Sequence, residues 1–145
     1  MEQLRIDDGR VQIQITNQNG KDLGIIEFNP SDMNLPHRLE NGWNKIKAYL
    51  DSLKVDVSKV KDDDISEYSR LLHEYDIKIK NELDVIFDTD ISRIFGNTNF
   101  ATFTNSGSSI IENIMVGLLP FIEKKIKDVT DKSNAKISKY TKDYE

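Results

Sequence analysis

Asp88, Asp90 and Ser92 stand at the first, third and fifth positions of a calcium-binding EF-hand loop, where alternating oxygen ligands wrap a hard cation. Such a loop needs Gly at its sixth position and a bidentate Glu at its twelfth. Arg93 and Asn99 stand there, so the calcium reading fails. Asp62, Asp63 and Asp64 could ligate magnesium or place negative charge at a helix N-terminus; with no glycine-rich phosphate loop beside them, the second reading is preferred. A nucleophilic triad needs Ser or Cys beside a positioned His and a carboxylate, and the two histidines, His37 and His73, fall on expected helix surfaces. Ser106-Gly107-Ser108-Ser109 lacks the Gly-x-Ser-x-Gly order of a nucleophile elbow and has no strand before it, so it reads as the capping region of the following helix. With no cysteine in 145 residues, disulfides, thiolate zinc sites, iron–sulfur clusters and thiol nucleophiles are excluded together. The expectation is a protein that is not an enzyme and uses no cofactor and no metal.

The elements that carry these residues are legible in their periodicity. Val11, Ile13 and Ile15 alternate with Gln12, Gln14 and Thr16, the pattern of a strand with one buried face, and an apolar run from Leu23 to Phe28 answers it across Asn19-Gly20. This predicts a β-hairpin over about 10–28. Pro30 stops the second strand. Asn34 then serves as the expected N-cap of a helix over 35–54, with Pro36 in its first turn and Leu39, Trp43, Ile46, Leu50 and Leu53 along one seam. A second helix is expected over 63–87, with Ile65, Tyr68, Leu72, Tyr75, Ile79 and Ile86 as its stripe. A single turn follows at 90–95, which Gly96 ends in a left-handed conformation.

Residues 97–109 are loop formers that nonetheless include Phe100 and Phe103, rings that either tuck over the bundle or form an apolar hook for a partner. A last helix over 108–132 is kinked or divided by Pro120. The expected class is α+β and mostly helical, an N-terminal hairpin followed by three to four helices. Residues 1–133 form a single domain and 134–145 a flexible basic tail.

A net charge of −5 argues against nucleic-acid binding through the body of the protein, because neutralising phosphates takes a concentrated Lys/Arg surface. The charge is uneven: residues 56–90 carry a net of −6 and residues 124–145 a net of +3. These blocks fit solvated helix faces, or a basic tail that meets an acidic surface on a neighbouring subunit. No run of about 20 apolar residues predicts a membrane span. Two strands alone are marginal in water, so the hairpin lies on the helices, gains a third strand from residues 3–6, or pairs with another chain.

Phe28-Asn29-Pro30-Ser31-Asp32 after a hairpin, a helix with Leu39 and Trp43, Ile91-Ser92-Arg93-Ile94-Phe95-Gly96 closing a second helix, and an apolar helix containing Pro120 occur together. Over about residues 10–130 this arrangement resembles the tail assembly chaperones of phages and prophages of Gram-positive bacteria. It departs from them after Gly96, where a second Gly-containing turn following a phenylalanine would fit better than Thr104-Asn105-Ser106-Gly107. The resemblance implies a non-enzymatic protein of the host cytoplasm that coats the tape-measure protein, helps tail-tube subunits assemble on it and is absent from the finished particle. Such a role needs many weak, repeated contacts, so a homo-oligomer is expected. Its candidate partner-binding residues are Val11, Ile13 and Ile15 on the hairpin and Phe95, Phe100 and Phe103 beyond the second helix. The same signals fit a structural tail-completion or connector protein, and the acidic middle fits a small inhibitor that mimics nucleic acid toward a host enzyme.

Overall fold

The structure, a computed structural model, describes the backbone of residues 1–143 and the side chains of residues 1–135 and Lys139. β1 (Val11–Thr16) and β2 (Asp22–Phe28) form an antiparallel hairpin with Val11 opposite Phe28 and Ile13 opposite Ile26. The turn closes where Gly20, at φ 81°, donates its N–H to the Asn17 carbonyl at 3.0 Å, while Asn17 Oδ1 accepts from the N–H groups of Asn19 and Lys21. Ile26 and Phe28 are buried beneath the sheet, whereas Gln12, Gln14 and Thr16 face water.

α1 (Asn34–Ser58) and α2 (Ile65–Phe87) pack antiparallel, followed by a 3-10 turn (Ser92–Phe95) and α3 (Ile110–Asp143). The fold is therefore α+β and mostly helical. Asn34 does not cap α1 as expected. It is the first helical residue, and its N–H donates to Asp32 Oδ1 at 2.9 Å. Asp32 Oδ2 also accepts from Arg38 Nη1 at 3.1 Å, and Arg38 Nε donates to the carbonyl of Ile86 at 2.8 Å. The Asn34 N–H first, then the Arg38 guanidinium, hold the Asp32 carboxyl below its ordinary range. The Phe28–Asp32 corner thus works as a bracket joining β2, α1 and the end of α2.

The seam of α1 includes a residue its periodicity hid. Gly42 is buried between Leu39 and Ile46, while Trp43 lies only half-buried at the flank. A Cβ at Gly42 would stand 2.5 Å from Ile86 Cδ1 and closer still to its Cγ1. Because Ile86 is fully enclosed, Gly42→Ala overpacks the contact by ~1–3 kcal/mol, against a gain of ~1 kcal/mol in helix propensity. The expected outcome is a net loss of about 1 kcal/mol in urea unfolding, where an exposed helical Gly would show a gain.

Asp64 caps α2 by accepting the Glu67 N–H at 3.0 Å, as the acidic run before the helix predicted. Arg70 pairs with both Glu67 and Glu74 along the exposed face and lowers the Glu67 carboxyl. Ile65 and Tyr68, expected in the buried stripe, are exposed. Asp56, near the end of α1, already faces Tyr75, so α1 stops short of the first turn of α2. The Tyr75 hydroxyl donates to Asp56 Oδ2 at 2.6 Å, and this bond, then burial, pushes the phenol up to about 12. A raised phenol pKa contributes stability that is whole below the unfolded value of ~10 and is lost as pH rises from there through about 12. Phenolate absorbance should therefore show a late step near pH 12 in the folded protein, and Tyr75→Phe should remove it.

α2 ends on Asp88, which takes the left-handed conformation (φ 55°, ψ 37°). Gly96 has φ 62° but ψ −137°, so it ends the 3-10 turn outside the left-handed helical region, in a conformation suited to glycine. Asp84 Oδ1 and Oδ2 accept from Ser92 N and Oγ, which fixes that turn against α2. α3 opens on a capping box: Ser109 Oγ accepts the Glu112 N–H, and Glu112 Oε1 accepts the Ser109 N–H and O–H.

Pro120 does not divide α3. It lies on the exposed face, and Val116, whose carbonyl loses its intrahelical donor, is also exposed, so water can take that place. The helix runs past its expected end at 132, and the basic tail is helical backbone through Asp143; residues 144 and 145 lie outside the described residues. Falling apolar content signals the end of burial rather than the end of the helix. Lys132, Ala135 and Lys139 are good helix formers, and Lys139 stands near the negative C-terminal end of the dipole.

Candidate functional site

α3 carries two parallel stripes at 4-3-4 spacing. Ile111, Met115, Leu118 and Ile122 are buried in the core. Ile110, Ile114, Gly117 and Phe121, one step round the helix, form the wall of an open groove of about 900 Å3. The core consumes one stripe, and the second is left facing the hairpin.

The opposite wall comes from Ile13, Ile15 and Leu23 of the hairpin, with Phe95 of the 3-10 turn at one end. Alternation along β1 turns Ile13 and Ile15 to the helical side, and the Asp84–Ser92 bonds hold the turn that carries Phe95. Phe121 is steadied by Phe28, whose ring meets it edge-on at 6.5 Å. Nothing lies within 4 Å of a Cβ built at Gly117, so the floor of the groove is open there. Gln14, Thr16, Asn17, Gln18 and Asn113 form a rim of amides and one hydroxyl, and none of the lining side chains among the described residues is ionisable. Apolar walls with a rim of neutral donors and acceptors suit an extended peptide with apolar side chains.

Of the expected partner-binding residues, Ile13, Ile15 and Phe95 converge on this groove. Val11 shares their strand face but stands beyond the lining, opposite Phe28. Phe100 must be corrected: it is 0 % exposed, its ring edge-on to Phe95 at 5.4 Å, its N–H bonded to Asp76 Oδ1 at 2.8 Å and Lys80 Nζ 4.9 Å above the ring centroid. No partner can touch it without unfolding the loop. Phe103 is half-buried and bridged to Ser109, so both rings tuck against the bundle. Leu23, Ile114 and Phe121 were missed. The usable signal was the width of the apolar arc on α3, which exceeds what one buried face needs.

A smaller groove of about 450 Å3 lies between Pro36, Leu39 and Trp43 of α1 and Leu119 and Ile126 of α3, with Glu40, Glu123 and Lys127 at its edge. Trp43 is the single tryptophan of the chain, so its fluorescence reports on anything that enters this groove.

The residues first considered for chemistry have structural roles. Asp88 ends α2 and Asp64 begins it, His37 Nε2 pairs with Asn41 Nδ2 at 3.0 Å on the surface, and Ser109 caps α3. Among the described residues no His, Cys, Asp or Glu side chains group to hold a metal ion, and no helix is long and apolar enough to cross a membrane. Compared with protein families, curated proteins and solved structures, the chain matches none.

Proposed function

We propose that this chain is a non-enzymatic, self-associating assembly factor of phage tails, which holds an apolar, extended stretch of the tape-measure or tail-tube protein in the host cytoplasm while the tail is built. The observation that carries the proposal is the open groove of about 900 Å3, walled by the hairpin and by the second apolar stripe of α3. Its neutral rim favours a peptide backbone over a charged small molecule, and its walls accept alternate side chains of an extended segment. The likeness of the Phe28–Asp32 corner, the Ile91–Gly96 turn and the Pro120 helix to tail assembly chaperones supports the identity of the client.

Co-expression with phage tape-measure and tail-tube proteins tests the proposal. The chain is expected to co-purify with one of them. Gly117→Leu, which fills the groove floor at a position where no neighbour obstructs a Cβ, should reduce capture at least tenfold with an unchanged circular dichroism spectrum. Failure of the unsubstituted chain to bind either protein, or equal capture by the variant, overturns the proposal. Mass spectrometry of purified particles separates a chaperone, which is missing from them, from a structural tail component, which is retained.

A further inference from the structure

We infer that the first six residues of one copy of this chain lie along the free edge of β1 in a second copy and place Leu4 and Ile6 in that copy's groove, so that the protein associates by exchanging these arms. The arm has the right form. Residues 1–6 have no regular secondary structure and no hydrogen bond to the other described residues, and Leu4 and Ile6 are 85 % and 75 % exposed. They stand two residues apart, so an arm drawn out as a strand turns both to one face, with Glu2 at its outer end, and Arg5 to the other.

The receiving edge is equally specific. The 3-10 turn lies on the face of β2, where Ile94 Cγ2 is 3.0 Å from a Cβ built at Gly24, and β2 carries the charges of Asp22 and Glu27. β1 is not covered, and its outward backbone groups have no hydrogen-bond partner among the described residues. Over Val11–Thr16 it has no charge and no proline, the usual guards of an exposed edge, and its one irregularity touches only its last residue. Both faces of β1 border the groove, Gln14 and Thr16 as well as Ile13 and Ile15, so the strand edge is the groove's rim. A strand added there sends alternate side chains toward the groove, whose apolar walls accept leucine and isoleucine.

The arm of the same chain is held away from this edge. Gly9, at φ 87°, is pressed on the Phe28–Asp32 corner, where a Cβ would stand 2.5 Å from Ser31 Oγ, and the Asp8 carbonyl accepts Asn29 Nδ2 at 2.7 Å. Arg10 N and Nε both donate to the Asp8 carboxylate. Folding back on its own β1 would require a reversal at these pinned residues, whereas a second copy needs none. An extended arm of six residues is ~20 Å long, the same length as the six-residue β1, and a strand-wide strip covers ~10 Å across. Two reciprocal arms then bury on the order of 800 Å2 in total, the size of a weak, reversible contact.

This inference goes beyond the tail-assembly proposal and does not rest on it, since its readout is the chain's association with itself; arm and client take the same groove, so each displaces the other. Light scattering behind size exclusion should give a dimer for the unsubstituted chain. A chain carrying Leu4→Asp and Ile6→Asp should give a monomer with at least tenfold weaker association and an unchanged circular dichroism spectrum. Because the chain has no cysteine, Leu4→Cys on one chain and Gly117→Cys on another can be mixed under oxidation. A disulfide-linked pair is expected, and none with His73→Cys in place of Gly117→Cys. A monomer at all concentrations, a dimer that survives the aspartates, or a disulfide that forms only within one doubly substituted chain overturns the inference.

Discussion

Phe28→Ala is expected to lower stability by about 4 kcal/mol, the largest single loss in this fold. Phe28 is fully enclosed, and its ring meets Phe87 of α2 edge-on at 6.4 Å and Phe121 of α3 at 6.5 Å. One side chain therefore joins the hairpin to two helices, and its removal leaves a cavity that none of the three can fill by moving alone. For a chain of this size the melting temperature should fall by roughly 10–15 °C. Phe28→Leu, which keeps most of the apolar contact, should recover more than half of the loss. Phe121 forms part of the groove wall, so the alanine variant should also lose groove-dependent capture. A loss under about 1.5 kcal/mol in urea unfolding would mean that the hairpin does not dock between α2 and α3.

The second large effect is expected at Asp76. Its carboxylate is buried on α2, accepts the Phe100 N–H at 2.8 Å and pairs with Lys80 Nζ at 3.0 Å, itself mostly shielded from water. Asp76→Ala leaves an enclosed N–H and a shielded ammonium without their acceptor, at a cost of about 3 kcal/mol. The damage should be local as well as global. Exchange of the Phe100 amide should accelerate by orders of magnitude, and proteolysis within residues 97–109 should rise, because this bond anchors the loop from the inside. Asp76→Asn retains an acceptor for Phe100 and should cost clearly less. Asp76→Ala combined with Lys80→Met should cost less than the two single losses added, since the orphaned cation is gone. Equal exchange rates in Asp76→Ala and the unsubstituted chain would show that the loop is held by other contacts.

These two residues mark the boundary of what one-dimensional reading reaches. The alternation of Val11, Ile13 and Ile15 predicts the hairpin, and the stripe from Leu72 to Ile86 predicts α2, because each pattern is produced by one face meeting apolar surroundings whatever those are. Asp64 before Glu67 and Ser109 before Glu112 predict helix starts, since capping is settled within four residues. Ile13, Ile15 and Phe95 stand out in the sequence because each is apolar in a segment otherwise polar or short, but nothing there places them on one groove.

Sequence alone thus determined the element order and the α+β class, both consequences of neighbours a few positions apart. Tertiary structure alone decided that Phe100 is sealed while Phe95 reaches the groove, that Gly42 is small because Ile86 fills its place, and that Asp76 serves a backbone group 24 residues away. It also decided that α3 gives one stripe to the core and the other to the groove. Burial is set by which surfaces meet across long stretches of chain, and periodicity records that a side chain prefers to leave water without recording what it will find when it does.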